Sequence, residues 1–299
     1  MIFVVNKYIL KTNIMQRFIN YSFLFLAFSI AFVSCNLEQE IDINLPDYES
    51  RYVVECYLEP GQPFSLLLTR TASYFDPFPT TNAEFLDDIL VDGATVTIAH
   101  NGQTDTLKNG LFFNPLSRKA YNYLAADLVP EDYEQSFELN IVTADGKTIT
   151  AATRILRPIP IDSIVVEFQE NDTLARVLTY FNDIPDERNY FRRMLHEHTL
   201  DSIPLQDFAA DDRFAEGNIV FGSAYNFAEG DTVFNTIFHI DRAYYDFFNS
   251  VQTAASSNGN PFGQPSPIIS NLQGTANAIG IFTGLSYERR MTIVERWCV

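Results

Sequence analysis

Cysteine is scarce in this chain of 299 residues, occurring only at Cys35, Cys56 and Cys298. So few thiols, with Cys56 and Cys298 near opposite ends of the chain beyond Cys35, do not make a disulfide framework. Cys56 sits inside the strand-like run RYVVECYLEP and reads as a buried free thiol. Positive charge is scarce too, with 20 Lys and Arg against 38 Asp and Glu and a net charge of −18. Such a surface repels nucleic acid and anionic headgroups, so neither a nucleic-acid partner nor another polyanion is expected. Catalytic and cofactor signatures are missing as well. Gly222-Ser223-Ala224 lacks the flanking pattern of a nucleophile elbow, and no Gly-rich phosphate loop or dinucleotide fingerprint follows a strand. No cofactor and no enzymatic reaction are expected on these grounds.

What the chain does have is one long apolar run, Phe18 to Ser34, that ends on Cys35 and is followed at once by the acidic NLEQE. Lys7, Lys11 and Arg17 form the positive segment before it, and the true start is either Met1 or Met15. This is the layout of a bacterial lipoprotein leader. Cleavage between Ser34 and Cys35 would free the Cys35 amino group for an acyl chain, while its thiol carries a diacylglycerol. A plain signal peptide or a spanning anchor competes with this reading, because a bilayer core needs roughly 20 apolar residues. The cysteine on the junction favours lipidation. Phe32 stands three before it, where Leu is commonest. Residues 1–34 are therefore read as leader and 35–41 as an acidic tether. Losing three positive charges and no negative ones would leave a mature net charge of −21.

From residue 42 the chain alternates. RYVVECYLE, FSLLLTRT, ATVTIAHN, DTLKNGLFF, AYNYLAA, SFELNIVT and KTITAATRI each read as a half-buried strand. Glu59-Pro60-Gly61, Asp92-Gly93, Asn101-Gly102, Asn109-Gly110 and Asp145-Gly146 read as the turns between them. Asp145-Gly146 is expected to be the strongest hairpin, with a type I′ turn. Residues 42–157 are thus expected to form an immunoglobulin-like or fibronectin-like β-sandwich. Pro158 and Pro160 mark a stiff connection over 158–161.

The second half, 162–299, begins with the strand-like DSIVVEFQE and LARVLTYFND and continues through NYFRRMLHEHTL, NIVFGSAYNF and TVFNTIFHID. Then the period changes. Asp241 can cap a helix over about 242–256 in which Tyr244, Phe247, Phe248 and Val251 recur at helical spacing. The expected fold is therefore mainly β, as two tandem β-sandwich domains, the second carrying an amphipathic helix.

Several blocks resemble the domain-of-unknown-function family 4249 (DUF4249): RYVVECYLEPGQP, FNDIPDERNYFRR, DDRFAEGN, and AYYDFFNSVQTAASSNGNPFGQPSPIISNLQG with AIGIFTG. The resemblance runs from about Ile41 to Ser286. Against the family's last block, Asn271 to Phe282 carries inserted residues that lengthen the turn. The resemblance implies an envelope lipoprotein in the outer membrane of Gram-negative bacteria, and genes of the family often lie beside those of TonB-dependent receptors, which makes such a receptor the expected partner. It implies no reaction.

Candidate chemistry is thin. His196 and His198 alternate in RMLHEHTL and would share one strand face, and His239 is the natural third ligand of a zinc site. Solvated edge imidazoles are the competing reading. Asp87, Asp88, Asp207, Asp211 and Asp212 lack the ligand alternation of a calcium loop, and DFAADDRFAEG reads as a solvated loop. Tyr74, Phe75 and Phe78 lie in a loop that a sandwich end could use for binding. The expected function is a non-enzymatic outer-membrane lipoprotein that binds a ligand or docks as accessory to a TonB-dependent receptor. An envelope metal-dependent hydrolase using His196 and His198, or a structural or adhesion module, are the alternatives.

Overall fold

All seven strands read from the first half are present at those positions: β1 (Tyr52–Leu58), β2 (Pro63–Arg70), β3 (Thr95–His100), β4 (Gln103–Asn114), β5 (Lys119–Leu128), β6 (Ser136–Val142) and β7 (Thr148–Arg154). The structure is a computed structural model, described for residues 49–72, 86, 88–114, 119–133, 135–169, 173–213, 217–257 and 266–296. Ser34, Cys35, Tyr74, Phe75, Phe78, Asp87 and Cys298 lie outside the described residues. Residues 49–299 form one compact unit. Among the described residues no helix is long and apolar enough to cross a membrane.

β1 shows why these segments are strands. Tyr52, Val54, Cys56 and Leu58 are buried, while Val53, Glu55 and Tyr57 between them are half-buried on the other face, the period of two that a pleated strand demands. Cys56 is a fully buried free thiol. Burial pushes its pKa up, which keeps it protonated and inert. The seven strands join two later ones, β14 (Gln273–Gly274) and β15 (Ile279–Gly284), in a sheet of order β14-β7-β6-β3-β4-β5-β2-β1-β15. β14 and β15 sit at opposite edges of that order, yet only residues 275–278 separate them in the chain. The sheet must therefore curl until its edges nearly meet, and one apolar core fills it, from Val54 and Leu66 to Ile141, Ile149 and Phe282. The final approach requires glycine. β15 runs parallel to β1 with Gly280 opposite Val54, and a Cβ at 280 would collide with the Val54 carbonyl.

Two turn expectations need correcting. The Asp145-Gly146 hairpin exists, but Gly146 (φ 78°) has the left-handed backbone and Asp145 does not. Thr143 to Lys147 forms a longer connection closed by Gly146 N–H to Thr143 O at 2.9 Å, which a two-residue type I′ turn would not have. Asn101 (φ 46°) and Gly102 (φ 74°) both have positive φ between the paired ends His100 and Gln103, as type I′ requires. Asn109-Gly110 is not a turn. β4 passes through it with a register shift between Asn109 and Phe112, a bulge that bends the strand.

Past Pro158 and Pro160 come β8 (Ile161–Phe168), β9 (Ala175–Asn182), β10 (Tyr190–Glu197), β11 (Gln206–Asp211), β12 (Asn218–Gly222), β13 (Thr232–Ile240), the helix α1 (Arg242–Ser257) and, after β15, β16 (Ser286–Ile293). They form a four-stranded sheet of order β11-β10-β13-β16 and a three-stranded sheet of order β12-β9-β8. Both sheets contribute to two apolar clusters, one around Phe181, Phe191, Ile219 and Ile237 and the other around Val177, Leu195, Phe227 and Val233. The fold is mainly β. The expectation of a solvated loop at DFAADDRF fails, because Gln206–Asp211 is a strand paired to β10. Its half-buried acids have partners: Asp207 pairs with Arg192, and Asp211 with Arg213. Asp212 Oδ2 accepts the Asn189 backbone N–H at 2.7 Å.

α1 begins where expected. Asp241 Oδ1 accepts the Tyr244 backbone N–H at 2.7 Å, the bond of an N-cap. The cap is half-buried against Thr153, whose hydroxyl lies 3.3 Å from Asp241 Oδ2.

Candidate functional site

The pleat gives every strand a second face, and in this protein the outward faces of two sheets look at each other. On the curled sheet, Val53, Glu55 and Tyr57 of β1 and Ser65 of β2 lie on the face away from its core, and Lys119 and Tyr121 of β5 line the groove beside them. On the four-stranded sheet, the register aligns three rows across β10, β13 and β16: Arg192–Phe238–Tyr287, Met194–Thr236–Arg289 and His196–Phe234–Met291. α1 adds Tyr244, Phe247, Phe248 and Val251 at helical spacing. These surfaces enclose a groove of about 920 Å³, with Leu200 to Pro204 at its lip. One end is packed shut by Phe238, Ile240, Tyr244 and Ile281, and the rest is open.

Arg192 organises the closed end. Its Nε and Nη2 reach the two oxygens of Asp207 at 2.7 and 2.6 Å, and Nη1 donates to Tyr244 Oη at 2.6 Å. The guanidinium also lies 4.8 Å from the Phe248 ring centre and 5.6 Å from that of Phe238. Burial works against its charge, but the hydrogen bond to Asp207 and its neighbours outweigh burial and raise its pKa. Lys119 is placed similarly on the opposite wall, 3.5 Å from Glu55 and 4.1 Å from the Tyr57 ring centre. Burial lowers its pKa against the pull of Glu55. Burial also raises the phenols of Tyr57, Tyr244 and Tyr287, so all three are neutral. Rings with cations over their faces, and neutral phenols among them, form a surface that holds apolar and aromatic groups by packing and polar ones by hydrogen bonds.

The three imidazoles named from the sequence are not brought together. His239 opposes Phe191 across the β10–β13 pair, and the rings stack at 6.0 Å on the side that faces the three-stranded sheet. Its Nδ1 donates to the Arg157 carbonyl at 2.8 Å, and burial lowers its pKa. His196 is five residues further along β10 and on the opposite face, in the groove, roughly 16 Å away along the strand. It is buried, its Nδ1 has no partner, and burial together with the Arg289 charge holds its pKa below the ordinary imidazole value. His198 lies past the end of β10, exposed and with positive φ, where it meets Glu197 and Asp231 instead. Asp231 Oδ2 there also accepts the Ala228 N–H at 2.7 Å.

The profile "Domain of unknown function (DUF4249)" matches residues 38–290. The chain belongs to that family. DUF4249 membership covers both sheet systems and α1, so the groove is built wholly from family sequence. No curated protein matches the chain. A chain of a solved cytokine receptor complex, crystal form 1A, is similar at 11% identity over 64% of this chain and 86% of that one, with a TM-score of 0.24. That likeness carries no argument. The block ISNLQG, part of the DUF4249 resemblance, has a visible task. Asn271 donates from Nδ2 to Phe282 O at 2.7 Å and accepts from Phe282 N at 3.1 Å, standing in for a missing strand on the outer edge of β15.

Sequence reading missed Arg192, Tyr57, Tyr287 and Arg289 as site residues. The available signal was β13, TVFNTIFHI, buried on both faces along most of its length, which marks a strand covered by layers on each side.

Proposed function

We propose that this DUF4249 chain is a non-enzymatic outer-membrane lipoprotein, anchored through lipid on Cys35, that binds a ligand in the groove as an accessory of a TonB-dependent receptor in nutrient uptake. The observation that carries this reading is the groove itself: about 920 Å³ lined by Tyr57, Phe238 and Tyr287 on faces a strand would otherwise give to water, and by Phe248 of α1. A fold gains nothing from leaving such surface unfilled, and large apolar clefts with a few placed polar groups are where ligands bind. The leader pattern ending at Cys35 and the family resemblance support the location and the receptor partner. As architecture, we propose that the curled sheet and the facing pair of sheets are the two sandwich units expected from the sequence, joined at 158–161 and sharing β15.

The test is capture of the lipidated protein from native outer membrane, followed by mass spectrometry of co-purifying chains and small molecules. Wild type is compared with Cys35→Ala and with the groove variant Tyr57→Ala/Phe248→Ala. The reading predicts a receptor and a small molecule with wild type, loss of the membrane association in Cys35→Ala, and loss of the small molecule alone in the groove variant. Recovery of the same small molecule from wild type and groove variant would refute the groove as the site. A receptor lost only in the groove variant would make the groove a docking surface instead.

A further inference from the structure

Arg289 and His196 differ from the other polar groups of the groove: Arg289 has no directly paired carboxylate among the described residues, and His196 has a buried ring nitrogen without a partner. Arg289 reaches from β16 onto β13, where its Nε donates to Thr236 Oγ1 at 2.8 Å and its guanidinium lies 4.7 Å from the Tyr287 ring centre. These contacts fix the group in place. Among the described residues it has no direct ion pair, since Glu59 meets it only through the Tyr287 hydroxyl and the group is otherwise exposed to solvent, whereas Arg192 has Asp207 and Lys119 has Glu55. His196 lies in the next row of the same face, 5% exposed, with a buried Nδ1 that has no partner. A buried imidazole nitrogen without a hydrogen bond is costly. A fixed guanidinium beside it offers paired donors in a planar fork, the geometry that matches a carboxylate.

We infer that Arg289 and His196 form the anion-binding end of the groove and that its ligand is a monocarboxylic acid with an apolar or aromatic body. This inference rests on the groove being the binding site. The body would lie against Phe238, Phe248 and Tyr57, which line the same groove. The remaining charges limit the ligand to one anionic group. Glu59 and Asp201 also line the groove, so a second carboxylate or a doubly charged phosphate meets repulsion there. The chain's net charge of −18 repels anions at long range, so selection for the acid falls to the contact with Arg289.

The test uses 4-phenylbutyrate, 4-phenylbutanol and 4-phenylbutylamine, which share a body and differ only at the head, titrated calorimetrically into the full chain. The acid is expected to bind about tenfold more tightly than the alcohol, the scale of one charge-assisted hydrogen-bonded pair. Arg289→Gln should bring the acid to the alcohol's affinity and leave the alcohol unchanged. Arg289 is exposed enough that its replacement should not disturb folding. Equal binding of acid and alcohol, preference for the amine, or an acid preference that survives Arg289→Gln would overturn the inference while the groove reading stands, provided Phe248→Ala still weakens binding. Failure of all three probes to bind would overturn both.

Discussion

Arg192 and Arg193 are neighbours in the chain and opposites in the fold. β10 turns Arg192 toward the groove, where both oxygens of Asp207 and the Tyr244 hydroxyl receive its protons. It turns Arg193 into the space between the two sheets, fully buried, with Nη2 near Thr179 and Asn235 and with Nε and Nη1 unpartnered. Burial pushes the Arg193 pKa down to about 10, so it still carries its charge at neutral pH. The two faces of one strand thus follow different rules. The inner face holds the sheets together by apolar packing and tolerates one costly cation. The groove face pairs Arg192 with Asp207 at its closed end and leaves Arg289 without a direct carboxylate partner and His196 with an unpartnered Nδ1 at the open end.

The largest effect should come from deleting the same side chain on the two faces. Phe181, fully buried between Phe191 and Phe221, is expected to cost about 3–5 kcal/mol on replacement by Ala. Half-buried Phe248 in the groove should cost far less, and urea unfolding of both variants measures the difference. Next come the arginines. Asp207→Asn strands the Arg192 charge in a pair whose side chains are 16% and 25% exposed, and should lose roughly 2 kcal/mol. Arg193→Met removes a buried charge that lacks a carboxylate and should gain about 1–2 kcal/mol. If both variants lose stability equally, the contrast between the faces is wrong.

Tyr244→Phe removes only the hydroxyl that accepts from Arg192 and should cost about 1 kcal/mol. The smallest effect concerns protons. His239 is held below its ordinary pKa by burial, against its hydrogen bond to the Arg157 carbonyl and the Glu187 charge. Such an imidazole takes up its proton more readily in the unfolded chain, so its contribution is complete above the unfolded pKa of about 6.5 and is lost as pH falls below it. His239→Phe, which keeps a ring against Phe191, should flatten the loss of stability between about pH 7 and pH 5 in a series of unfolding curves.

How far the sequence revealed this fold depends on where each signal lay. The strands from Tyr52 to Arg154 were legible because their buried residues alternate, and the helix was legible because Asp241 precedes Tyr244, Phe247, Phe248 and Val251. Strand β11 was not, since its acids look solvated until Arg192 is placed opposite them. The groove was beyond sequence reading for a plainer reason. Tyr57, Lys119, Arg192 and Tyr287 are outward positions on four strands far apart in the chain, and nothing local says that two outward faces will meet. The histidines misled for a related reason: His196 and His239 are separated by strand register, which the sequence does not display.

The most direct measurement is to take Phe248→Ala alone and determine, on one preparation, both its unfolding free energy and its affinity for 4-phenylbutyrate. The account predicts stability within about 1 kcal/mol of wild type, in keeping with a half-buried side chain, and affinity reduced about tenfold. A stability loss matching that of Phe181→Ala with affinity unchanged would mean that the groove face is core and not a binding surface.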